Sequence, residues 1–230
     1  MDIELFYQEA GTGEPFIFLH GNGESSEYFQ HQIDYFKSRY RVIAVDTRGH
    51  GTSPRGAAPF TIAQFANDLY DFMQGHGIAR AVILGFSDGA NIAMKFAMQR
   101  PDMVKALILN GGNLDPSGVK RLPQLSIEIG YRIASRFAAR SPDARKNAEM
   151  LGLMMNDPYI QPSELAKITM PTLVVCGTND VIKESHTRMI AENIPNAHLT
   201  ILRGTHFVAN EHPAEFNQAV DVFLNSIESA

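Results

Sequence analysis

The sequence predicts an α/β protein whose mostly parallel sheet is covered by helices on both faces. Short apolar runs alternate along the chain with segments of helical periodicity, and these runs are continuous rather than interleaved with polar residues. Continuous apolar strands are buried on both sides, which is typical of parallel sheets flanked by helices. The 230 residues, 44% of them hydrophobic, suffice for a sizeable core.

The first half of the chain follows this alternation closely. Apolar runs predict strands over residues 3–9, 16–19, 42–46, 81–84 and 104–110. Between them, Phe29, Ile33 and Phe36 share one face of a predicted helix that Ser25 or Ser26 could cap. A second helix begins after Thr61, and a third follows residue 87 and stops at Pro101.

The alternation breaks between residues 111 and 167, where helical patterns occur and no strand does. An apolar stripe predicts one helix, and a segment rich in Met and Leu over 150–155 predicts another. The stripe consists of Leu122, Leu125, Ile129, Ile133 and Phe137. Insertions of this length usually cover a site. We therefore predict a core of residues 1–112 and 168–230 and an all-helical cap of residues 113–167, whose methionines either line a pocket or fill the cap.

The last part of the chain returns to the α/β pattern. Strands are predicted over 172–177 and 198–202, with a helix over 184–193 between them and a final helix from Pro213. The core thus resumes after the insertion.

The stretch Gly85-Phe86-Ser87-Asp88-Gly89 joins the central apolar run to a helix with a small-residue face. A serine in such a G-x-S-x-G turn is lifted clear of the sheet edge, where its hydroxyl can act as a nucleophile. The alternative is an ordinary turn with a solvated serine. The choice depends on whether a base and a carboxylate occur at suitable positions.

Five polar residues follow predicted strands, at the edge where open α/β sheets bind ligands. They are His20, Asp46, Ser87, Asp180 and His206. Three of them, Ser87, Asp180 and His206, occur in the order serine, acid, histidine that an α/β hydrolase requires. Asp46 and His50 are expected to tie a tight loop together by hydrogen bonds.

Nearly the full chain resembles the α/β-hydrolase fold superfamily, and most closely its short-capped serine carboxylesterases and lactonases. Five ordered motifs carry the resemblance. They are His20-Gly21-Asn22-Gly23, residues 48–53 (RGHGTS), the turn at Ser87, residues 177–180 (GTND), and Gly204-Thr205-His206 followed by residues 211–213 (EHP).

The resemblance implies roles for individual residues. Ser87 is implied as the nucleophile, His206 as the base and Asp180 as the acid that orients it. The backbone N–H groups of Asn22 and Asp88 are implied as the oxyanion hole. At the substrate pocket we expect His20, bracing the oxyanion loop, and the cap residues Leu153 and Met154.

Some positions depart from the family pattern or leave alternatives open. Only one strand precedes Phe16, where the family usually has two, and Thr205 replaces a usual glycine. Serine at position 87 disfavours the epoxide hydrolase and haloalkane dehalogenase chemistries, which need a carboxylate nucleophile. Asp115 is a rival for the acid. Asp88 either stabilises a helix start or binds a substrate amine, as the similar Ser-Asp-Gly turn of an amino-acid-ester hydrolase of this fold suggests.

Composition excludes several other classes. The net charge of −5 disfavours nucleic acid as a partner. No apolar run reaches the length of a membrane span, so no membrane partner is expected. One cysteine, Cys176, and the lack of a signal pattern favour the cytoplasm. No metal motif occurs, and neither a metal nor a cofactor is expected.

The function predicted from these observations is that of a serine hydrolase. The expected substrate is a small carboxylic ester, lactone or thioester, cleaved through an acyl-enzyme on Ser87. Two alternatives remain, a carbon–carbon bond hydrolase of the same fold and a non-catalytic ligand-binding member. The acyl group, the leaving group and the oligomeric state do not follow from the sequence.

Overall fold

A seven-stranded sheet runs through the protein, and every neighbouring pair of strands except one is parallel. The computed structural model describes residues 2–228; Met1, Ser229 and Ala230, at the ends of the predicted core, lie outside the described residues. The strands are β1 (Tyr7–Ala10), β2 (Glu14–Leu19), β3 (Tyr40–Val45), β4 (Ala81–Phe86), β5 (Val104–Asn110), β6 (Thr172–Gly177) and β7 (Ala197–Leu202). Their order across the sheet is β1-β3-β2-β4-β5-β6-β7, with β1 antiparallel to β3.

Helices cover both faces of this sheet, as the continuous apolar strands predict. The helices are α1 (Gln30–Phe36), α2 (Ile62–Gly75), α3 (Asp88–Gln99), α4 (Arg121–Phe137), α5 (Pro142–Asn156), α6 (Glu184–Asn193), α7 (Val208–Glu211) and α8 (Pro213–Glu228). Strand residues alternate between two cores: Ile17 packs with α2 and α3, whereas Phe16 and Phe18 pack with α1 and α8. Both faces of β2 are therefore buried, and the α/β fold class is confirmed.

The N-terminal edge of the sheet differs in detail from the prediction. One strand precedes β2, as expected, but β1 begins at Tyr7 rather than at Ile3. The Phe6 amide donates to Ser53 Oγ at 2.8 Å, and the Phe6 carbonyl accepts from the Asp46 amide at 2.9 Å. The backbone of Phe6 is thus bonded to the loop after β3 instead of continuing the ladder.

The chain between β5 and β6 forms α4, α5 and two short 3-10 helices, Pro116–Gly118 and Pro162–Lys167. The helices α4 and α5 pack closely at Gly130, where an added Cβ would lie 3.1 Å from the Leu151 side chain. This segment is helical as predicted, while the exact boundaries of the cap stay a prediction. Within the described residues, no helix combines the length and apolarity needed to cross a bilayer.

Candidate active site

Ser87 lies in a strained turn between the end of β4 and the start of α3. Its φ of 53° and ψ of −118° make it the one non-glycine residue with positive φ among residues 2–228. Such a backbone is costly and persists only when its surroundings enforce it. A Cβ on Gly89 would meet the backbone of Leu19, and a Cβ on Gly85 would meet the Gly89 carbonyl. The two glycines therefore let β4, the turn and α3 approach closely enough to present the Ser87 hydroxyl.

A chain of hydrogen bonds joins Ser87 to a histidine and a carboxylate. The distance from Ser87 Oγ to His206 Nε2 is 3.0 Å, and that from His206 Nδ1 to Asp180 Oδ1 is 2.7 Å. His206 and Asp180 are both buried, and Asp180 Oδ1 also accepts from the Ile182 amide. This geometry can pass the serine proton to the imidazole, while the carboxylate holds the ring in one tautomer.

Asp115, the rival for the acid, is engaged elsewhere. Its Oδ1 accepts from the Ser117 amide at 2.7 Å and caps the short helix after β5. Asp180 instead lies in the turn after β6 and faces the histidine. The structure thus brings Asp180, and not Asp115, to His206.

Two backbone N–H groups beside Ser87 are available to an oxyanion. Asn22 follows β2, and Asp88 is the first residue of α3, where a helical N–H has no partner within the helix. Neither N–H donates a hydrogen bond within the described part of the chain. Both residues line the cavity at Ser87. The arrangement suits the stabilisation of negative charge on a substrate oxygen.

The side chains of Asn22 and Asp88 are bonded to each other. Asn22 Nδ2 donates to Asp88 Oδ2 at 2.9 Å and to the Met150 carbonyl of α5 at 3.0 Å. Asn91 Nδ2 donates to Asp88 Oδ1 at 3.2 Å. Burial raises the pKa of Asp88, and these amide hydrogen bonds oppose that rise. The Asp88 carboxylate is thus held by amides rather than by a cation.

A cavity of about 250 Å³ opens at Ser87 and is roofed by the helical segment. The side chains that α4 and α5 themselves contribute are apolar, namely Pro123 and Ile127 of α4 and Met154 of α5. Three carboxylates also line it, Glu24, Asp88 and Asp157. Its lining residues are Gly21, Asn22, Glu24, Phe86, Ser87, Asp88, Asn113, Val119, Pro123, Ile127, Met154, Asp157, Val181, Ile182, His206 and Phe207.

Of the three residues expected at the pocket, only Met154 lines this cavity. Leu153 points the other way on α5 and is buried in the hydrophobic core, because neighbouring helical residues face different sides. The pocket role predicted for Leu153 is therefore corrected to one in packing.

His20 lies behind the loop that carries Asn22 and is also corrected as a pocket residue. Its Nε2 accepts from the Thr47 amide at 3.0 Å, so Nδ1 carries the proton and donates to the Gly21 carbonyl at 2.7 Å. Burial lowers the pKa of His20, which favours this neutral form. His20 thus braces the loop, the other role expected for it.

Asp46 and His50 bond within their loop as expected. Asp46 Oδ2 accepts from the Thr52 amide, and His50 Nδ1 lies 3.0 Å from the Arg48 carbonyl. Asp46 Oδ1 also accepts from the Ser26 amide, which lies outside this loop. This loop holds its shape beside the loop that His20 braces.

Glu24 and Asp157 also line the cavity, although neither was predicted from the sequence as a pocket residue. Burial raises the pKa of Glu24 to about 7, and its Oε2 has no hydrogen-bond partner among the described residues. Burial also raises the pKa of Asp157. Glu24 follows the His20-Gly21-Asn22-Gly23 loop directly, which was a usable signal. Asp157 had none, since only the fold of the roof brings it to the cavity.

Comparison with known proteins agrees with this fold. A family model described as the α/β hydrolase fold matches residues 14–139. The chain therefore belongs to the α/β hydrolase fold family.

Among the described residues, no cluster of three His, Cys, Asp or Glu side chains is arranged to hold a metal ion.

Three similar proteins illustrate the relationship. The 3-oxoadipate enol-lactonase 2 of Acinetobacter baylyi is 27% identical over 251 residues, which cover 97% of this chain and 94% of that protein. The enol-lactonase structure from Burkholderia xenovorans LB400 has a TM-score of 0.81 at 22% identity, with 97% of each chain covered. The structure of Est816, described as an N-acyl homoserine lactone degrading enzyme, has a TM-score of 0.79 at 25% identity and covers 96% of this chain and 97% of that one. These similarities support a hydrolase.

Proposed function

We propose that this protein is a serine hydrolase that cleaves a small carboxylic ester, lactone or thioester through an acyl-enzyme on Ser87. The observation that carries the proposal is the hydrogen-bond chain from Ser87 Oγ through His206 to Asp180, at 3.0 and 2.7 Å. A serine hydroxyl is a weak nucleophile until such a base is within reach. The relatives named above support a lactone or ester substrate by similarity.

In the proposed mechanism, His206 Nε2 takes the hydroxyl proton as Ser87 Oγ attacks the substrate carbonyl carbon. Asp180 holds the Nδ1–H and stabilises the imidazolium that forms. The Asn22 and Asp88 N–H groups bind the oxyanion. When the tetrahedral intermediate collapses, His206 gives its proton to the leaving oxygen or sulfur. A water molecule, activated by the same imidazole, then releases the acid and restores Ser87.

The charge of the cavity bears on the substrate. Glu24, Asp88 and Asp157 line it, and no Lys or Arg occurs among its described lining residues. A carboxylate on the substrate would be repelled here unless these groups were protonated, whereas a neutral or cationic group would not. We therefore propose that the acyl or leaving group is neutral or carries an amine.

The nucleophile is tested by labelling with a fluorophosphonate probe, which reacts with activated serines. We expect the wild-type protein to be labelled and Ser87→Ala to remain unlabelled and to lose about 10⁶-fold in ester turnover. Both proteins should unfold at similar urea concentrations, because the substitution removes a single partly exposed hydroxyl. Labelling of the variant, or retention of more than a few per cent of wild-type turnover, would contradict the mechanism. An unlabelled wild type would instead favour a non-catalytic binding protein.

The amine preference is tested by comparing an α-amino-acid ester with the matching des-amino ester. If the Asp88 carboxylate binds the amine, Asp88→Asn should lower kcat/KM for the amino ester alone by roughly tenfold or more, which corresponds to about 1.4 kcal/mol. Glu27→Gln, at an exposed carboxylate outside the cavity, is the matched control. If Asp88→Asn leaves the ratio of kcat/KM for the amino ester to that for the des-amino ester unchanged, Asp88 does not bind the amine. Asp88 would then be a helix-start residue that orients Asn22.

A further inference from the structure

The apolar stripe of α4 faces solvent over the whole length of the helix. The exposed fractions are 78% for Leu122, 48% for Leu125, 51% for Ile129, 57% for Ile133 and 47% for Phe137. Their spacing of three or four residues places them on one face. These five make up half of the ten exposed large hydrophobic residues in the described part of the chain. Single exposed apolar residues are ordinary, but a contiguous stripe marks an interaction surface.

The opposite side of α4 is already used within the protein. Pro123 and Ile127 line the cavity at Ser87, and Ala134 is buried. Rotating the helix to hide the stripe would therefore remove the roof of that cavity. Within residues 2–228, therefore, nothing is placed to cover the stripe.

Residues 120–146, which include α4 and the first part of α5, are strongly basic, although the whole chain is acidic. Residues 120–146 hold seven of the 20 Lys and Arg residues and two of the 25 Asp and Glu residues. Their net charge is +5, which leaves −10 on the remainder of the chain. The seven cations are Lys120, Arg121, Arg132, Arg136, Arg140, Arg145 and Lys146.

All seven of these cations are exposed, and none forms an ion pair with a carboxylate within the described residues. By contrast, eight of the other 13 Lys and Arg residues do form such pairs. At 100° per residue, Arg121, Arg132 and Arg136 fall along one edge of the stripe. The stripe thus has free positive charge beside it.

We propose that this face of the cap docks on an anionic lipid bilayer, with α4 lying in the plane of the interface. A helix whose apolar stripe is bordered by Lys and Arg buries the stripe among acyl chains while its cations meet lipid phosphates and carboxylates. A nucleic acid would use the charge but not the stripe. The proposal departs from the expectation of no membrane partner, which rested on the length needed for spanning and not on surface binding.

The test is co-sedimentation of the full chain with vesicles, either of phosphatidylcholine alone or of equal parts phosphatidylcholine and phosphatidylserine. We expect binding to the mixed vesicles, little binding to the neutral ones, and weakening as salt screens the charges. The stripe variant Leu125→Ser, Ile129→Ser, Ile133→Ser should bind at least roughly tenfold more weakly. The charge variant Arg121→Gln, Arg132→Gln, Arg136→Gln should do the same.

The matched control carries Val222→Ser and Arg80→Gln, which change an exposed apolar and an exposed basic residue outside the cap. It should bind as the wild type does. Circular dichroism and urea unfolding show whether each variant is folded, and single substitutions replace any triple variant that is not. Absence of binding to the mixed vesicles, or equal binding by the stripe variant and the control, would overturn the proposal. So would a dimer in sedimentation velocity that the stripe variant dissolves, since a second copy would then cover the stripe.

Discussion

At the scale of single residues, the orienting role proposed for Asp180 gives a sharp prediction. Asp180→Asn should leave the His206 ring in the wrong tautomer, with Nδ1 no longer held as a donor, and lower ester turnover by about 10⁴-fold. The measurement is kcat with a p-nitrophenyl ester. Asp115→Asn is the matched control and should keep near-wild-type turnover, because Asp115 caps a short helix instead. The opposite pattern would move the acid to the loop after β5.

The residues of this proposed triad were predictable because each follows its own strand, and the carboxyl ends of parallel strands meet at one edge of the sheet. Ser87, Asp180 and His206 needed no knowledge of the helical roof. Asp157 did need it, because Asp157 belongs to the segment between β5 and β6 and reaches the cavity only through the fold of that segment. Glu24, by contrast, follows the loop of residues 20–23 and could have been predicted from its position. A side chain that reaches the cavity only through the fold of its own long segment is not visible in local sequence.

At the scale of elements, α5 presents neighbouring residues to different surroundings. Met154→Ala should change the ranking of short against longer acyl esters, because Met154 lines the cavity at Ser87. Leu153→Ala should instead leave that ranking unchanged and lower the free energy of unfolding by about 2 to 5 kcal/mol. Kinetics with an acyl-length series and urea unfolding separate the two effects. If Leu153→Ala changed the ranking of acyl esters and Met154→Ala did not, the substrate pocket would lie on the Leu153 side of α5, contrary to this assignment.

The helices themselves were well predicted, but the direction in which α4 faces was not. Residue spacing predicted an amphipathic helix. The helix α2 begins after Thr61 and α6 spans Glu184–Asn193, as the sequence predicted. Periodicity predicts that the apolar residues share one face of the helix. It does not predict what covers that face. In α2 the covering is the protein's own sheet, whereas the stripe on α4 faces solvent. A lone amphipathic pattern therefore cannot distinguish a core helix from a docking helix.

At the scale of the whole molecule, Glu24 links global stability to pH. Its pKa rises from an ordinary 4.5 to about 7 in the fold. Between these values the folded protein keeps a proton that the unfolded chain releases, so Glu24 makes stability fall as pH rises and adds no further change above about pH 7. Glu24→Gln should remove this loss of stability. We expect the loss to be about 1 to 3 kcal/mol of unfolding free energy, since one pKa unit corresponds to about 1.4 kcal/mol and Glu24 keeps some contact with solvent.

The measurement is urea unfolding at pH 5 and pH 8, with Glu27→Gln as the exposed control. The difference in unfolding free energy between Glu24→Gln and wild type should be larger at pH 8 than at pH 5. A difference that is the same at both pH values would show that Glu24 titrates normally and is not buried as the structure has it.

The division of charge between residues 120–146 and the rest of the chain also makes the molecule an electric dipole. With +5 on residues 120–146 and −10 on the remainder, a field that attracts residues 120–146 repels the remainder. Near a negatively charged surface, these opposite forces turn the protein so that residues 120–146 face the surface before contact. The effect acts within a screening length of about 8 Å at physiological salt. The net charge of −5 alone would predict simple repulsion. The distribution of the charges therefore determines how the protein approaches such a surface.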